Sequence, residues 1–126
     1  MSRWRKMLID TQFYLKKAHD FNTAWKEAEK LLEDPVTLTG QEHRYYLAKA
    51  DFMRQQKNNC QIMAIRQAYL DNQQGKAHGL VFYQDTDHEG EVYSLSMQYG
   101  NRCHITKKAL LENLTHDEMD FIFNLQ

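Results

Sequence analysis

Asp85-Thr86-Asp87-His88-Glu89-Gly90 places oxygen ligands at alternate positions and a glycine at the sixth, as a calcium loop opens. The twelfth position of such a loop needs a bidentate glutamate, and here it is Ser96. The flanks also alternate as strands do rather than as helices. The segment therefore reads as a solvated hairpin loop, with Gly90 supplying a positive φ. Whether Asp85, Asp87 and Glu89 take up a cation stays open on sequence. His78, His88, His104, Cys60 and Cys103 are the remaining metal-binding types. They form no C-x2-C, H-x3-H or HExxH spacing, and Cys103 and His104, being adjacent, would point to opposite faces of an extended segment. No metal and no other cofactor is expected.

Lys107 and Lys108 follow Thr106, a helix N-cap candidate. Cations there oppose the helix dipole, so exposed amides together with two ammonium groups make a candidate anion site. Exposed lysines break that preference at a cost of only about 0.3–1 kcal/mol, and the bland reading is a solvated helix start. A second candidate surface is Tyr45, Tyr46, Lys49, Phe52 and Arg54, interleaved with His43, Arg44 and Lys57. Charge beside aromatic rings suits nucleic acid, but Glu42 and Asp51 dilute the charge, and the same rings serve a core or a protein interface.

Catalytic signatures are missing. There is no G-x-S-x-G, P-loop or Rossmann glycine pattern, and no carboxylate pair can be placed on one wall. His78, His104 and Tyr93 are the residues whose clustering would reopen the question. The balance is against an enzyme.

The elements that must position these residues are organised around residues 77–99. Tyr93, Leu95, Met97 and Tyr99 alternate with Val92, Ser94, Ser96 and Gln98, a strand with one apolar and one mostly polar face. Leu80–Tyr83 is apolar on both faces, which suits a strand inside a sheet. The two make a hairpin, and a hairpin alone is marginal in water, so further strands and a helical layer are implied. Met7, Ile9, Thr11, Phe13 and Leu15 alternate and read as a first strand, although a helix starting near Trp4 also fits. Phe21, Ala24, Trp25, Ala28, Leu31 and Leu32 form a helical stripe, with Asp20 as N-cap and Asp34-Pro35 as its end.

Thr39-Gly40-Gln41-Glu42 is a capping-box pattern opening a helix over 41–57, punctuated by Asn58-Asn59. Its apolar residues do not fall in one stripe, so it is buried on several sides or meets a partner. Segment 60–70 fits a strand or a helix. A strand is preferred, because a meander would give Leu80–Tyr83 a second neighbour. Thr106 and Thr115, each preceded by an apolar residue, start two short closing helices, the second with Met119, Ile122 and Phe123 inward.

The 126 residues suit a single α+β domain: an antiparallel sheet of three to four strands with hairpin 77–99 central, a long helix packed on one face and two short C-terminal helices. The net charge of −1 hides a split, with +4 over residues 1–66 and −5 over 67–126. Near-neutrality argues against non-specific coating of nucleic acid. No segment has the ~20 apolar residues of a membrane span, and the start has no secretory pattern. Two isolated cysteines suit reduced thiols in a cytoplasm, with one disulfide still open. The function expected is a non-catalytic interaction protein, such as a bacterial or phage-encoded inhibitor or immunity-type protein that binds and regulates a macromolecular partner. Protein is favoured over nucleic acid as that partner, and self-association is also expected. The alternative is an RNA- or DNA-binding regulator using helix 41–57 with Lys107 and Lys108.

Overall fold

The computed structural model describes residues 10–33, 38–85, 91–98 and 100–125. Two long helices come first: α1 (Thr11–Leu32) and α2 (Gly40–Gln73). Three strands follow, β1 (Leu80–Gln84), β2 (Val92–Met97) and β3 (Cys103–Thr106), then α3 (Lys107–Asn113) and α4 (His116–Phe123). The strands form an antiparallel meander of order β1-β2-β3. Leu80 pairs with Met97 and Gln84 with Tyr93, while Val92 pairs with Thr106 and Leu95 with Cys103. The expected α+β class, the hairpin, the long helix and the two short C-terminal helices are all present.

Two segments expected as strands are helical. Residues 11–16 belong to α1, because the Asp10 carboxylate caps the helix by accepting from the Phe13 amide at 2.8 Å. Thr11, Leu15 and Ala18, spaced for one helical face, are buried. Asp20 lies inside α1 and caps nothing, while Met7–Ile9 and Asp34-Pro35 lie outside the described residues. Segment 60–70 continues α2 unbroken through Asn58-Asn59, since Ile62, Ile65 and Ala68 at helical spacing are buried in the core. The helix that was expected to stop at Lys57 thus has 34 residues, about 51 Å at 1.5 Å per residue. It ends at Gly75 (φ 72°), where the Lys76 amide donates to Asp71 O and the Gly75 amide to Asn72 O, a Schellman closure that needs the left-handed residue.

With 60–70 helical, Leu80–Tyr83 has one strand neighbour and lies at the sheet edge. Central position falls to β2, whose Ser94 and Ser96 are buried rather than solvent-facing. The Arg102 guanidinium, just before β3, lies 5.5 Å from the ring centre of Tyr83 on β1. The third strand is Cys103–Thr106, whose alternation is too short to announce itself.

The core lies between the Phe82/Leu95/Ile105 face of the sheet and α2, closed by α3 and α4. Phe82 and Tyr93 stack at 5.0 Å, and Phe123 meets both edge-on. Thr39 and Thr115 each complete a capping box, with Glu42 and Glu118, and Thr106 accepts from the Ala109 amide. The core draws Leu15 from α1 and residues 62–68 from α2. Over the other half of the two-helix hairpin, Ala28 and Ala50 are the fully buried apolar residues. The far ends of α1 and α2 thus form an arm in which, among the described residues, the two helices pack mainly on each other.

Candidate functional site

Successive residues of an α-helix turn by about 100°, so residues seven and eleven apart fall within about 20° of one line. Tyr45, Phe52, Met63 and Leu70 are separated by 7, 11 and 7 residues and so share one line along α2. All four are exposed, at 59%, 53%, 39% and 48%. Ala50, Gln61, Ile62, Ala64, Ile65 and Ala68, on the far side of the same helix, are buried. α2 therefore has an inward face that makes the fold and an outward stripe about 38 Å long. Between the stripe's apolar members stand Gln41, Lys49, Gln56, Asn59 and Gln67, with no carboxylate among them. An apolar line flanked by amide side chains and a single lysine has the composition of an interface core more than of an ordinary helix surface.

The surface residues expected from sequence divide between faces. Tyr45, Lys49 and Phe52 lie on or beside the stripe. Tyr46 is half-buried and meets Tyr45 edge-on at 5.0 Å. Arg54 is on the opposite side, held to Asp51 at 2.7 Å. Met63 and Leu70 were missed because that segment was expected as a strand; the helical spacing of Ile62, Ile65 and Tyr69 was the available signal. Lys107 and Lys108 lie at the sheet end of the molecule. The Lys107 amide donates to Glu91 O at 2.8 Å, the Ala109 amide to Thr106 Oγ1, and the Lys108 ammonium is 3.9 Å from Glu112. Two first-turn amides of α3 are thus already engaged.

The catalytic candidates do not converge. Tyr93 is buried against Phe82. His78 precedes β1, accepts from the Leu80 amide at 2.9 Å and meets Phe121 edge-on. His104, across from Ser94, lies 3.4 Å from Asp85. Asp87, His88 and Glu89 lie outside the described residues, so the loop's cation ligands rest on Asp85 alone here. Cys60 and Cys103 are free thiols, and burial pushes the pKa of both upward, away from thiolate reactivity.

The least expected group is Lys57, only 5% exposed. By the alternation of antiparallel pairing, the Lys107–Glu91 hydrogen bond puts His104 at a non-bonded position, with its carbonyl facing the free edge of β3. Lys57 Nζ donates to that carbonyl at 2.7 Å, and Gln61 Nε2 donates to Cys103 O at 3.2 Å. Lys57 thus covers part of an edge that is otherwise a template for pairing, whereas Gln61 bonds a carbonyl on the β2 side of the strand. The Lys57 ammonium also lies 5.3 Å from the Trp25 ring centre. Burial lowers its pKa to about 8 against an opposing pull from Cys103, with lesser lowering contributions from the charges of Arg54 and Lys26.

No protein-family model matches the chain, and no curated protein or solved structure matches it. No described helix is long and apolar enough to cross a membrane.

Proposed function

We propose that this is a non-catalytic interaction protein that binds and regulates a protein partner, in the manner of a small inhibitor or immunity protein, through the outward stripe of α2. The carrying observation is that Tyr45, Phe52, Met63 and Leu70 stay exposed on one line of a helix whose opposite face, over Gln61–Ala68, is already used by the fold. Aromatic and methionine anchors on a rigid helix suit helix-in-groove or helix-on-helix recognition. The test is capture by the tagged full chain, with nuclease, compared with the Phe52→Glu/Met63→Glu double variant. A protein retained by the first and lost by the second supports the reading. Retention unchanged by the double variant removes the stripe from it. Recovery that depends on nucleic acid favours the RNA- or DNA-binding alternative, whose contacts weaken steeply with salt.

Self-association is a second reading, favoured by one feature. The 7–11–7 spacing is the same read in either direction. A second copy laid antiparallel about a two-fold axis would set Tyr45 against Leu70 and Phe52 against Met63, each contact made twice, as an isologous interface requires. Arg44 would then meet Asp71 of the second copy. Light scattering on the full chain decides it: a dimer lost in the double variant supports it, and a monomer at high concentration rejects it.

A further inference from the structure

We propose that the cavity at the free edge of β3 is a binding site for the oxyanion group, phosphate or carboxylate, of a small molecule, with Lys57 at its floor and Arg102 and Lys26 at its mouth. The cavity measures about 310 Å³ between α1 and β3. Asn22, Trp25, Val92, His104, Ile105 and Thr106 complete the lining, and among the described residues no carboxylate contributes to it.

The reasoning starts from unbalanced charge. Two basic side chains nearby already have acidic neighbours: Arg54 is paired with Asp51, and the His104 imidazole lies 3.4 Å from Asp85. Among the described residues, no carboxylate lies within ion-pair distance of Lys57, Lys26 or Arg102. For exposed Lys26 and Arg102, water supplies what is missing. Lys57 differs in being buried: an ammonium there is costly unless paired and hydrogen-bonded, and the His104 carbonyl and the Trp25 ring leave it, among the described residues, with no counter-charge and with two of its three protons lacking a protein acceptor. An oxyanion entering the cavity supplies both acceptors and counter-charge.

The lining suits such a guest. Thr106 and Asn22 offer neutral hydrogen-bond donors, Arg102 a planar fork that matches two oxygens, and Trp25 with Ile105 an apolar wall for the remainder of the molecule. This site is separate from the stripe of α2, which faces the other way. It also differs from the start of α3, where first-turn amides are engaged. The lowered pKa of Lys57 agrees with a cation awaiting its partner, and a bound anion would raise it again.

Calorimetric titration of the full chain with inorganic phosphate, and separately with acetate, in low-chloride buffer at pH 7 tests the site. The expected result is saturable one-to-one binding of at least one of them, a raised melting temperature, and movement of the Trp25 indole N–H resonance. Which probe binds distinguishes a phosphate from a carboxylate ligand. Lys57→Met keeps the stem and removes the charge, and should abolish the binding. Arg102→Gln, at the exposed mouth where folding is not at stake, should weaken it about tenfold, as loss of a charge-assisted hydrogen bond does. No saturable binding of either anion by the wild-type chain, or binding unchanged in Arg102→Gln and in folded Lys57→Met, overturns the proposal.

Discussion

The two halves of α2 are one continuous helix in two different environments. From Lys57 to Gln73 the inward face lies on a sheet and contributes Ile62, Ala64, Ile65 and Ala68 to the core. From Gly40 to Gln56 the inward face packs on α1, and Ala50 is its buried apolar residue. Helix stability in proteins comes mainly from packing of an apolar face, so Lys57–Gln73 has its fold secured and Gly40–Gln56 leans on one neighbour. What the two halves share is the outward stripe, which runs through both without serving either. A stripe that ignores the change of environment beneath it is not explained by folding.

The comparison is broken most sharply by truncating side chains in each half. Ile65→Ala and Leu95→Ala, both at 0% exposure, should each destabilise the chain by about 2–5 kcal/mol through lost burial and a residual cavity. Phe52→Ala, a larger truncation by volume than the first, should stay within about 0.5 kcal/mol. Denaturant midpoints for the three variants check this. A Phe52→Ala cost comparable to the core variants would mean that the arm's outer face is packed, and the stripe would lose its standing as a free surface.

Lys57 marks the border between the halves, and its burial has a pH signature. Its folded pKa of about 8 lies below the ordinary 10.5. Below pH 8 both folded and unfolded chains carry the proton, and the fold bears the cost of burying it. Between pH 8 and 10.5 the folded chain has released the proton while the unfolded chain still holds it, so stability rises with pH across that window. From pH 7 to 9 the gain from this group is about 1 kcal/mol. The thiols of Cys60 and Cys103 act in the opposite sense above pH 9, because burial raises their folded pKa and the unfolded thiols ionise first. The informative quantity is therefore the difference between wild type and Lys57→Met at each pH. A difference that does not move between pH 7 and 9 would place the ammonium in water.

Much of this arrangement is legible in local sequence, and the reasons it stops are physical. The caps at Thr39, Thr106 and Thr115 and the alternation of Tyr93 and Leu95 are properties of a few adjacent residues, and each corresponds to an observed element. Asn58-Asn59 misled because polar residues interrupt an apolar pattern without interrupting a backbone; only a closure such as that at Gly75 ends the helix. β3 escaped because four residues are too few for a period to show. Lys57 looked like part of a solvated face, since its burial depends on a strand edge 47 residues away. The interface candidates were half legible for the same reason as α2 itself: Tyr45 and Phe52 lie in the part recognised as helix, Met63 and Leu70 in the part that was not.

A smaller effect probes how far the arm depends on its own end. Thr39 accepts from the Glu42 amide at 3.1 Å and Glu42 returns the contact at 3.3 Å, both exposed to solvent. Thr39→Ala should cost about 1 kcal/mol locally. The loss should appear as faster amide exchange over residues 41–50 while residues 61–70 stay protected, since arm and core segment open with different free energies. Equal acceleration along the whole helix would show that α2 opens as one unit, and the distinction between its halves would fall.

The smallest expected change in stability carries the most functional weight. Phe52→Glu/Met63→Glu puts two carboxylates on the stripe, seven and more residues from any cap and facing solvent. Nothing buried is disturbed, and the stability change should be within about 0.5 kcal/mol for each site. A partner or a second copy that buries this line would then have to desolvate two unpaired charges, which an interface core tolerates poorly. Binding should fall by a hundredfold or more on the order of an interface hot-spot loss, about 3 kcal/mol. Circular dichroism and thermal melting establish that the variant is folded, and retention of partner or self-association is then read against wild type. An intact fold with intact association would mean that the two halves of α2 share a stripe by coincidence of composition, and that whatever this protein binds is met elsewhere.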